Sequence, residues 1–137
     1  MDILHLHMNG GNDDVYINTA GIVEIHTGSS GNNRTLVNVK DEGLIQVEED
    51  LEDVAKMLKD ERDMPLVRVV TSNTDIMYIN VENIIDMQTI DERQGYELRI
   101  RLNDGGSVSV RTTLEAIFTQ LDRQGINIIE CENGLGQ

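Results

Sequence analysis

One pattern of residues occurs twice along this chain of 137 residues. Residues 15–59 match residues 77–122 in residue type, with a shift of one residue in a turn. The matches are Tyr16-Ile17-Asn18 with Tyr78-Ile79-Asn80, Ile22-Val23-Glu24-Ile25 with Ile84-Ile85-Asp86-Met87, Lys40-Asp41-Glu42-Gly43 with Asn103-Asp104-Gly105-Gly106, Val47 with Val110, and Leu51-Glu52 with Leu114-Glu115. A period of about sixty residues predicts one folding unit that has been duplicated, and this limits the fold more than any other feature.

Each unit is predicted to contain about five short strands. Leu4, Leu6 and Met8 alternate with His5 and His7, which is typical of a strand with one buried face. Turns rich in glycine, asparagine and aspartate separate the apolar stretches. The predicted strands are 4–8, 15–17, 22–27, 35–40 and 44–48 in the first unit and 66–70, 76–79, 84–89, 96–102 and 107–110 in the second. A further strand is expected at 126–129.

One helix is predicted to end each unit, because the apolar period changes from two to about 3.6 residues. The two apolar faces are Leu51, Val54, Ala55 and Leu58 in the first helix and Leu114, Ile117, Phe118 and Leu121 in the second. Asp50 is the expected N-cap of the first helix. Thr112 and Glu115 form a capping box before the second helix, which Gly125 is expected to end.

The expected fold class is α+β, with two tandem copies of a mostly antiparallel β-sheet unit, each of about five short strands and one C-terminal helix, packed pseudo-symmetrically. The first repeat spans 1–63 and the second 64–124, while 125–137 is expected to form a C-terminal strand and flexible tail. The single proline, Pro65, lies at the break between the repeats. A unit of about sixty residues buries only about 60% of its unfolded surface. The halves are therefore expected to pack together, to oligomerise, or both.

The order of elements in the second unit is a hairpin, a strand, a long strand, a D-G turn, another strand and a helix that opens with T-L-E. The residues are Tyr78-Ile79-Asn80-Val81-Glu82-Asn83-Ile84-Ile85, Asp104-Gly105, Val110-Arg111 and Thr113-Leu114-Glu115. This arrangement resembles the β-rich part of LytTR-type DNA-binding domains and is similar to small FlbD-like flagellar-operon proteins. LytTR domains continue into a basic segment that engages DNA, and neither helix here is followed by a match to it. The resemblance therefore implies the fold and not DNA binding.

The composition is strongly acidic, with a formal net charge of -14. Residues 1–63 hold five Lys/Arg against fourteen Asp/Glu, and residues 64–137 hold six against eleven. This balance opposes nucleic-acid binding, which depends on cation–phosphate contacts. No stretch approaches the ~20 apolar residues of a membrane helix, the N-terminus has no signal-like segment, and the one cysteine, Cys131, cannot form an internal disulfide. A cytoplasmic protein with no membrane contact is expected.

Two groups of side chains raise the question of a metal. His5, His7 and His26 could form a zinc or nickel site, but a solvent-facing polar strand is the preferred interpretation of the first two. Acidic clusters at 13–14 and 48–53 lack the spacing of a calcium loop and are interpreted as a turn and a helix start.

The glycine-rich stretch 28–31 lacks the lysine of a phosphate-binding loop, and carboxylates beside Cys131 make it a poor nucleophile. No cofactor and no metal are expected.

The candidate interaction face consists of Arg99, Arg101 and Arg111. On a strand, Arg99 and Arg101 share one face, opposite Ile100, and Arg111 follows the partner strand. A phosphate-binding patch is one interpretation. Pairing with carboxylates such as Glu97 is the other, and it is preferred in so acidic a chain.

The function expected from the sequence is that of a non-enzymatic protein–protein interaction or structural module, bacterial or phage-borne. No acid–base or nucleophile set is visible, while two repeated apolar faces need partners. One alternative is a divergent LytTR-like nucleic-acid-binding regulator that uses the three arginines. Another is an acidic protein that mimics DNA and inhibits a DNA-binding protein. A homo-oligomer, preferably a dimer, is expected, with the acidic first repeat of one copy against the arginine face of another.

Overall fold

A computed structural model describes residues 2–28, 34–90 and 98–129 and shows an α+β fold. The first half contains β1 (Ile3–Met8), β2 (Asp13–Asn18), β3 (Ile22–Thr27), β4 (Thr35–Val39), β5 (Gly43–Val47) and helix α1 (Leu51–Lys56). The second half contains β6 (Leu66–Val70), β7 (Ile76–Asn80), β8 (Ile84–Thr89), β9 (Leu98–Leu102), β10 (Ser107–Val110) and helix α2 (Leu114–Arg123). Within these ranges, neither helix has the length and apolarity to cross a membrane.

The strands form three antiparallel sheets. β1 pairs with β2, a five-stranded sheet has the order β5-β4-β3-β7-β6, and a three-stranded sheet has the order β10-β9-β8. The central sheet joins the two halves, because β3 of the first half pairs with β7 of the second. We call this pairing the inner junction. Its register places Glu24 opposite Ile79, Ile25 opposite Tyr78, and His26 opposite Met77.

Backbone hydrogen bonds connect the three sheets. The N–H of Glu48, just after β5, donates to the carbonyl of His7 in β1 at 2.8 Å. The N–H of Arg111, just after β10, donates to the carbonyl of Val70 in β6 at 2.7 Å. The strands therefore follow one another as β2-β1-β5-β4-β3-β7-β6-β10-β9-β8. In the described part of the chain, β2 and β8 lie at the two ends and have a strand neighbour on one side only.

The two halves contain the same irregularity in their strand pairing. Between β3 and β4 the register shifts between Ile22 and Glu24, and between β8 and β9 it shifts between Ile84 and Asp86. These are the positions that the repeated sequence pattern matches with each other. A bulge of this kind bends a strand and increases its twist, so both strands turn at the same point of the pattern.

A short 3₁₀ turn precedes each of these bulged strands. The turns are Thr19–Gly21 before β3 and Val81–Asn83 before β8. Asn18 and Asn80 cap them, since each side chain accepts the backbone N–H two residues later, at 3.0 Å and 3.1 Å. An asparagine at this position satisfies a backbone donor that the turn leaves without a partner.

Two apolar clusters form the core, and each contains side chains from both halves. The first cluster contains the buried side chains of β1, the helix α1 and, from the second half, Leu66 and Tyr78. The second cluster contains the buried side chains of β9 and α2 and, from the first half, Val23. The halves therefore exchange apolar side chains across the inner junction.

The predictions for the helix starts need correction. The N-cap of α2 is Thr113, whose hydroxyl accepts the N–H of Ala116 at 3.2 Å. Thr112 is not the cap, because its hydroxyl accepts the N–H of Val70 at 2.7 Å and so ties the start of α2 to β6. Asp50 lies at the N-cap position of α1, but its side chain makes no capping hydrogen bond.

Two further details differ from the predictions. The first helix is α-helical only to Lys56 and continues as a π-helical turn over Met57–Glu61. The strand expected at 126–129 is absent, because the chain after α2 turns at Gly125 in a left-handed conformation and meets no strand. Ile129 is left almost fully exposed. The expected flexible tail beyond it lies outside the described residues.

Candidate functional site

A cluster of polar side chains covers the exposed face of β1. His5 Nε2 and His7 Nε2 lie 2.8 Å and 3.5 Å from the same carboxylate oxygen of Asp14 in β2. The imidazole of His5 also stacks on Tyr16, with 4.6 Å between ring centroids. His7 Nδ1 lies 2.7 Å from Glu49, whose carboxylate accepts the backbone N–H of His7 at 3.0 Å as well. Every member of the cluster therefore has a partner within the chain.

The contact between His7 and Glu49 shifts the pKa of both residues. The hydrogen bond to Glu49 raises the pKa of His7 above its usual value, although burial opposes it. Burial raises the pKa of Glu49, but the hydrogen bonds from the backbone N–H and imidazole of His7 outweigh burial, and the net pKa is lowered. The pair thus favours a protonated imidazole beside an ionised carboxylate.

The same cluster has the donor types of a zinc site. The ligand atoms of His5, His7 and Asp14 lie within 4.8 Å of one another, and Glu49 would orient His7 as carboxylates do around zinc. His26 is not part of this group, because it lies on β3 at the inner junction, so the three histidines considered as a metal site do not come together. Hydrogen bonds between the imidazoles and carboxylates account for the cluster without a metal.

A second histidine–carboxylate pair lies at the inner junction. Glu24 is buried, and its carboxylate oxygens lie 2.8 Å and 2.9 Å from Nδ1 of His26. The hydrogen bond that His26 donates to Glu24 raises the pKa of His26, burial lowers it, and the charges of the Glu24 and Asp75 carboxylates add to the net increase. A buried carboxylate is costly without a partner, and His26 supplies one.

Two of the three arginines of the candidate interaction face, Arg99 and Arg101, lie on β9, and Arg111 directly follows β10. Arg99 and Arg101 are exposed on one face of β9, opposite the buried Ile100. Nε of Arg101 lies 2.9 Å from the carboxylate of Asp86, which lowers the pKa of Asp86 and raises that of Arg101. Nε of Arg111 donates to a backbone carbonyl at 3.2 Å.

The carboxylate that pairs with Arg101 is thus Asp86 on β8, while Glu97, the expected partner, lies outside the described residues. The glycine-rich stretch beyond Gly28 and Cys131 also lie outside them. The predicted acidic cluster near α1 is structural. Glu48 accepts hydrogen bonds from the N–H of Gly10 at 2.7 Å and from Arg34 at 2.6 Å.

The two ends of the strand series expose apolar side chains that the sequence pattern matches with buried ones. Tyr16 on β2 is 65% exposed, whereas the matching Tyr78 on β7 is 7% exposed. Ile85 on β8 is 57% exposed, whereas the matching Val23 on β3 is 0% exposed. Both buried partners lie at the inner junction. The ends therefore present the same kinds of side chain without the strand that covers them.

Polar side chains also form hydrogen bonds across the inner junction. The hydroxyl of Tyr78 donates to the carboxylate of Glu52 in the first turn of α1 at 2.6 Å. Burial, and then this hydrogen bond, raise the pKa of Tyr78 to about 12. The amides of Asn80 and Asn83 both donate to the carbonyl of Ile22, at 3.0 Å and 2.8 Å. These contacts join β7 and its following turn to the start of β3.

Sequence reasoning did not identify these junction residues or the exposed ends as sites. The available signal was the repeat itself. When one sequence pattern occurs twice, one copy of a matched strand can lie inside the fold and the other at an end. Tyr16 and Ile85 could therefore have been compared with Tyr78 and Val23. In comparisons with known proteins, no family model matches this chain and no curated protein is significantly similar to it. The resemblance to LytTR-type and FlbD-like units stays a prediction.

Proposed function

We propose that this chain is a non-enzymatic protein–protein interaction module, built from two copies of one unit, that binds its partner through the outer edges of β2 and β8. The observation that carries the proposal is the exposure of Tyr16 and Ile85 on strands that have one neighbour each among the described strands. A strand edge with exposed backbone groups is a template for a strand from another chain. Alternate side chains then supply specificity.

Several paired features support the duplication on which this proposal builds. Leu4 lies opposite Ile17 in the first hairpin, and Val67 lies opposite Ile79 in the second. The bulges in β3 and β8, the capped 3₁₀ turns before them and the links from β5 to β1 and from β10 to β6 also correspond. A common unit explains why the same local irregularities recur about sixty residues apart.

Nucleic acid is the less favoured partner. The net charge of -14 repels phosphate. In addition, Arg101 already forms an ion pair with Asp86. We expect random duplex DNA to show no binding by fluorescence anisotropy at physiological salt. Sub-micromolar binding that an Arg99→Ala/Arg101→Ala double variant abolishes would instead support the regulator function.

Affinity capture with matched variants tests the proposal. Tyr16→Asp and Ile85→Asp each place a charge on one outer edge, and both positions tolerate it in the folded chain because they are exposed. Leu44→Asp is the control, since Leu44 is 56% exposed but lies on β5, away from both edges. Proteins from cell extract that bind the unaltered chain and the control but not an edge variant would support the proposal. Binding that all the variants retain would contradict it.

A further inference from the structure

We propose that the partner at these edges is a second copy of this chain, whose β2 adds to β8 of the first in the antiparallel register of the inner junction. This inference rests on the proposed function, because it names the partner of the same edges. The pattern matches β2 with β7 and β3 with β8. A contact of β8 with β2 between two copies therefore repeats the contact of β3 with β7 within one copy.

The register of the proposed contact follows from that of the inner junction. Within one copy, the opposed pairs are Glu24 and Ile79, Ile25 and Tyr78, and His26 and Met77. Between copies, the corresponding pairs are Asp86 and Ile17, Met87 and Tyr16, and Gln88 and Val15. None of these pairs opposes two like charges, which would destabilise strand pairing.

The proposed contact between copies would bury the exposed side chains of Ile85 and Tyr16. Val23 crosses the inner junction into the second apolar cluster, and Tyr78 crosses into the first. By the same geometry, Ile85 enters the first apolar cluster of the next copy, and Tyr16 of that copy enters the second apolar cluster of the one before it. Removal of these two side chains from water is the main driving force expected for the contact.

The hydroxyl of Tyr16 also has a hydrogen-bond acceptor in the neighbouring copy. Tyr78 donates to Glu52 in the first turn of α1. The pattern matches Glu52 with Glu115, which lies exposed in the first turn of α2. Tyr16 of one copy therefore donates to Glu115 of the other, as Tyr78 does within the chain.

The side chain of Asn18 is placed to complete the contact. Asn80 caps its 3₁₀ turn through its carbonyl oxygen and uses its amide to donate to the carbonyl of Ile22. Asn18 caps the corresponding turn in the same way but is exposed. By correspondence, its amide donates to the carbonyl of Ile84 in the copy before it, as the amide of Asn80 donates to Ile22.

A contact between β8 and β2 is head-to-tail, because the two edges differ. Each copy has one edge of each kind, so addition continues until the last β8 meets the first β2 and a ring closes, or else a filament grows. A contact between two identical edges would instead give a closed two-fold dimer. The two arrangements differ in how edge variants combine, and this provides the test.

The experiment compares masses in solution by light scattering and native mass spectrometry. We expect the unaltered chain and the Leu44→Asp control to form species larger than the 15.4 kDa monomer. Tyr16→Asp and Ile85→Asp should each be monomeric alone, while circular dichroism shows that they are folded. Mixed in equal amounts, they should form one dimer of both variants, because one keeps its β8 edge and the other its β2 edge.

Other masses would overturn the inference. Dimers of Ile85→Asp alone would show pairing of β2 with β2, and dimers of Tyr16→Asp alone would show pairing of β8 with β8. A mixture that stays monomeric would exclude the head-to-tail contact, provided that both variants are folded.

The register is tested by oxidative cross-linking in a Cys131→Ser background. Val15→Cys combined with Gln88→Cys places two thiols opposite each other between copies, and we expect a ladder of covalent oligomers. Asp13→Cys combined with Gln88→Cys is the control, since it shifts one thiol by two residues on the same strand face. Equal cross-linking in the control and the test pair would contradict the proposed register.

The outcomes separate this inference from the proposed function. An unaltered chain that stays at 15.4 kDa at high concentration would overturn the second copy as the partner. The interaction function would still stand if another protein bound the chain and the edge variants lost it. If the variants neither change the mass nor reduce capture, both proposals fail.

Discussion

The inner junction and the outer edges of β2 and β8 contain the same kinds of residue in different surroundings. Tyr78 and Val23 are buried at the junction, while Tyr16 and Ile85 are exposed at the ends. Because the residue types match, the difference arises from position: Tyr78 and Val23 lie on strands with a neighbour on both sides, whereas the strands of Tyr16 and Ile85 have, within the described residues, a neighbour on one side. The comparison shows that burial in this chain depends on strand neighbours as much as on residue type.

The same comparison explains a charged residue in the core. Glu24 is buried at the inner junction and pairs with His26, whereas the matching Asp86 on β8 is half-buried and pairs with Arg101. A carboxylate in this position thus finds a cation in both places. The partner lies along the same strand at the junction and on the adjacent strand at the end.

The largest difference is expected between Val23→Asp and Ile85→Asp. A charge at Val23 would be buried without a partner, and we expect it to lower the free energy of unfolding by about 4 kcal/mol or to prevent folding. A charge at Ile85 would face water in the monomer and should change it by less than about 0.5 kcal/mol. Urea unfolding at a concentration where light scattering reports monomers gives both values. Equal losses would show that the two strands do not have different surroundings.

A smaller difference is expected between Asn80→Ala and Asn18→Ala. Asn80 is buried and makes two hydrogen bonds, so its loss should cost about 2 kcal/mol. Asn18 caps a turn at the surface, and its loss should cost about 1 kcal/mol. The measurement is again urea unfolding of monomers, and a greater cost at Asn18 would reverse the comparison.

The sequence was sufficient for the positions of most strands, because alternation of apolar and polar residues needs no tertiary information. The predicted ranges 22–27, 66–70, 84–89 and 107–110 agree with β3, β6, β8 and β10. The prediction of Thr112 as the cap of α2 was wrong, and the local sequence does not distinguish it from Thr113, because both threonines can cap a helix. The N–H of Val70, distant in sequence, engages Thr112 and leaves the cap to Thr113.

The pairings between distant strands could not be predicted in the same way. The β3–β7 pairing joins strands that are about fifty residues apart in the chain, and no local pattern specifies it. Charged side chains are rarely buried, and Glu24 is buried in this chain where β3 pairs with β7. Arg101 was placed correctly on an exposed face, but its contact with Asp86 depends on the pairing of β8 with β9.

A third prediction compares Tyr78→Phe with Tyr16→Phe. Loss of the hydroxyl that donates to Glu52 should lower the stability of the monomer by about 1 kcal/mol, while loss of the exposed hydroxyl of Tyr16 should have almost no effect. The pKa of Tyr78 is raised to about 12 in the folded chain, so folding favours the neutral phenol. Stability should therefore fall as pH rises from about 10 towards 12. Tyr78→Phe should lose that part of the pH dependence, and an unchanged profile would contradict its origin in Tyr78.

The smallest expected effect concerns His26, for which β8 provides the matched variant. The residue on β8 that matches His26 is Gln88, so His26→Gln gives the inner strand the uncharged side chain of the outer one. Glu24 raises the pKa of His26 above its usual 6.5, and the folded chain therefore binds the proton more tightly than the unfolded chain. The stabilisation is complete below pH 6.5 and is lost as pH rises through the folded-state pKa. In urea unfolding of monomers, the unaltered chain should lose less than about 1 kcal/mol relative to His26→Gln over this range. Parallel pH profiles for the two proteins would show that the ion pair of His26 with Glu24 does not form in the folded chain, and that Glu24 is held in the core by other contacts.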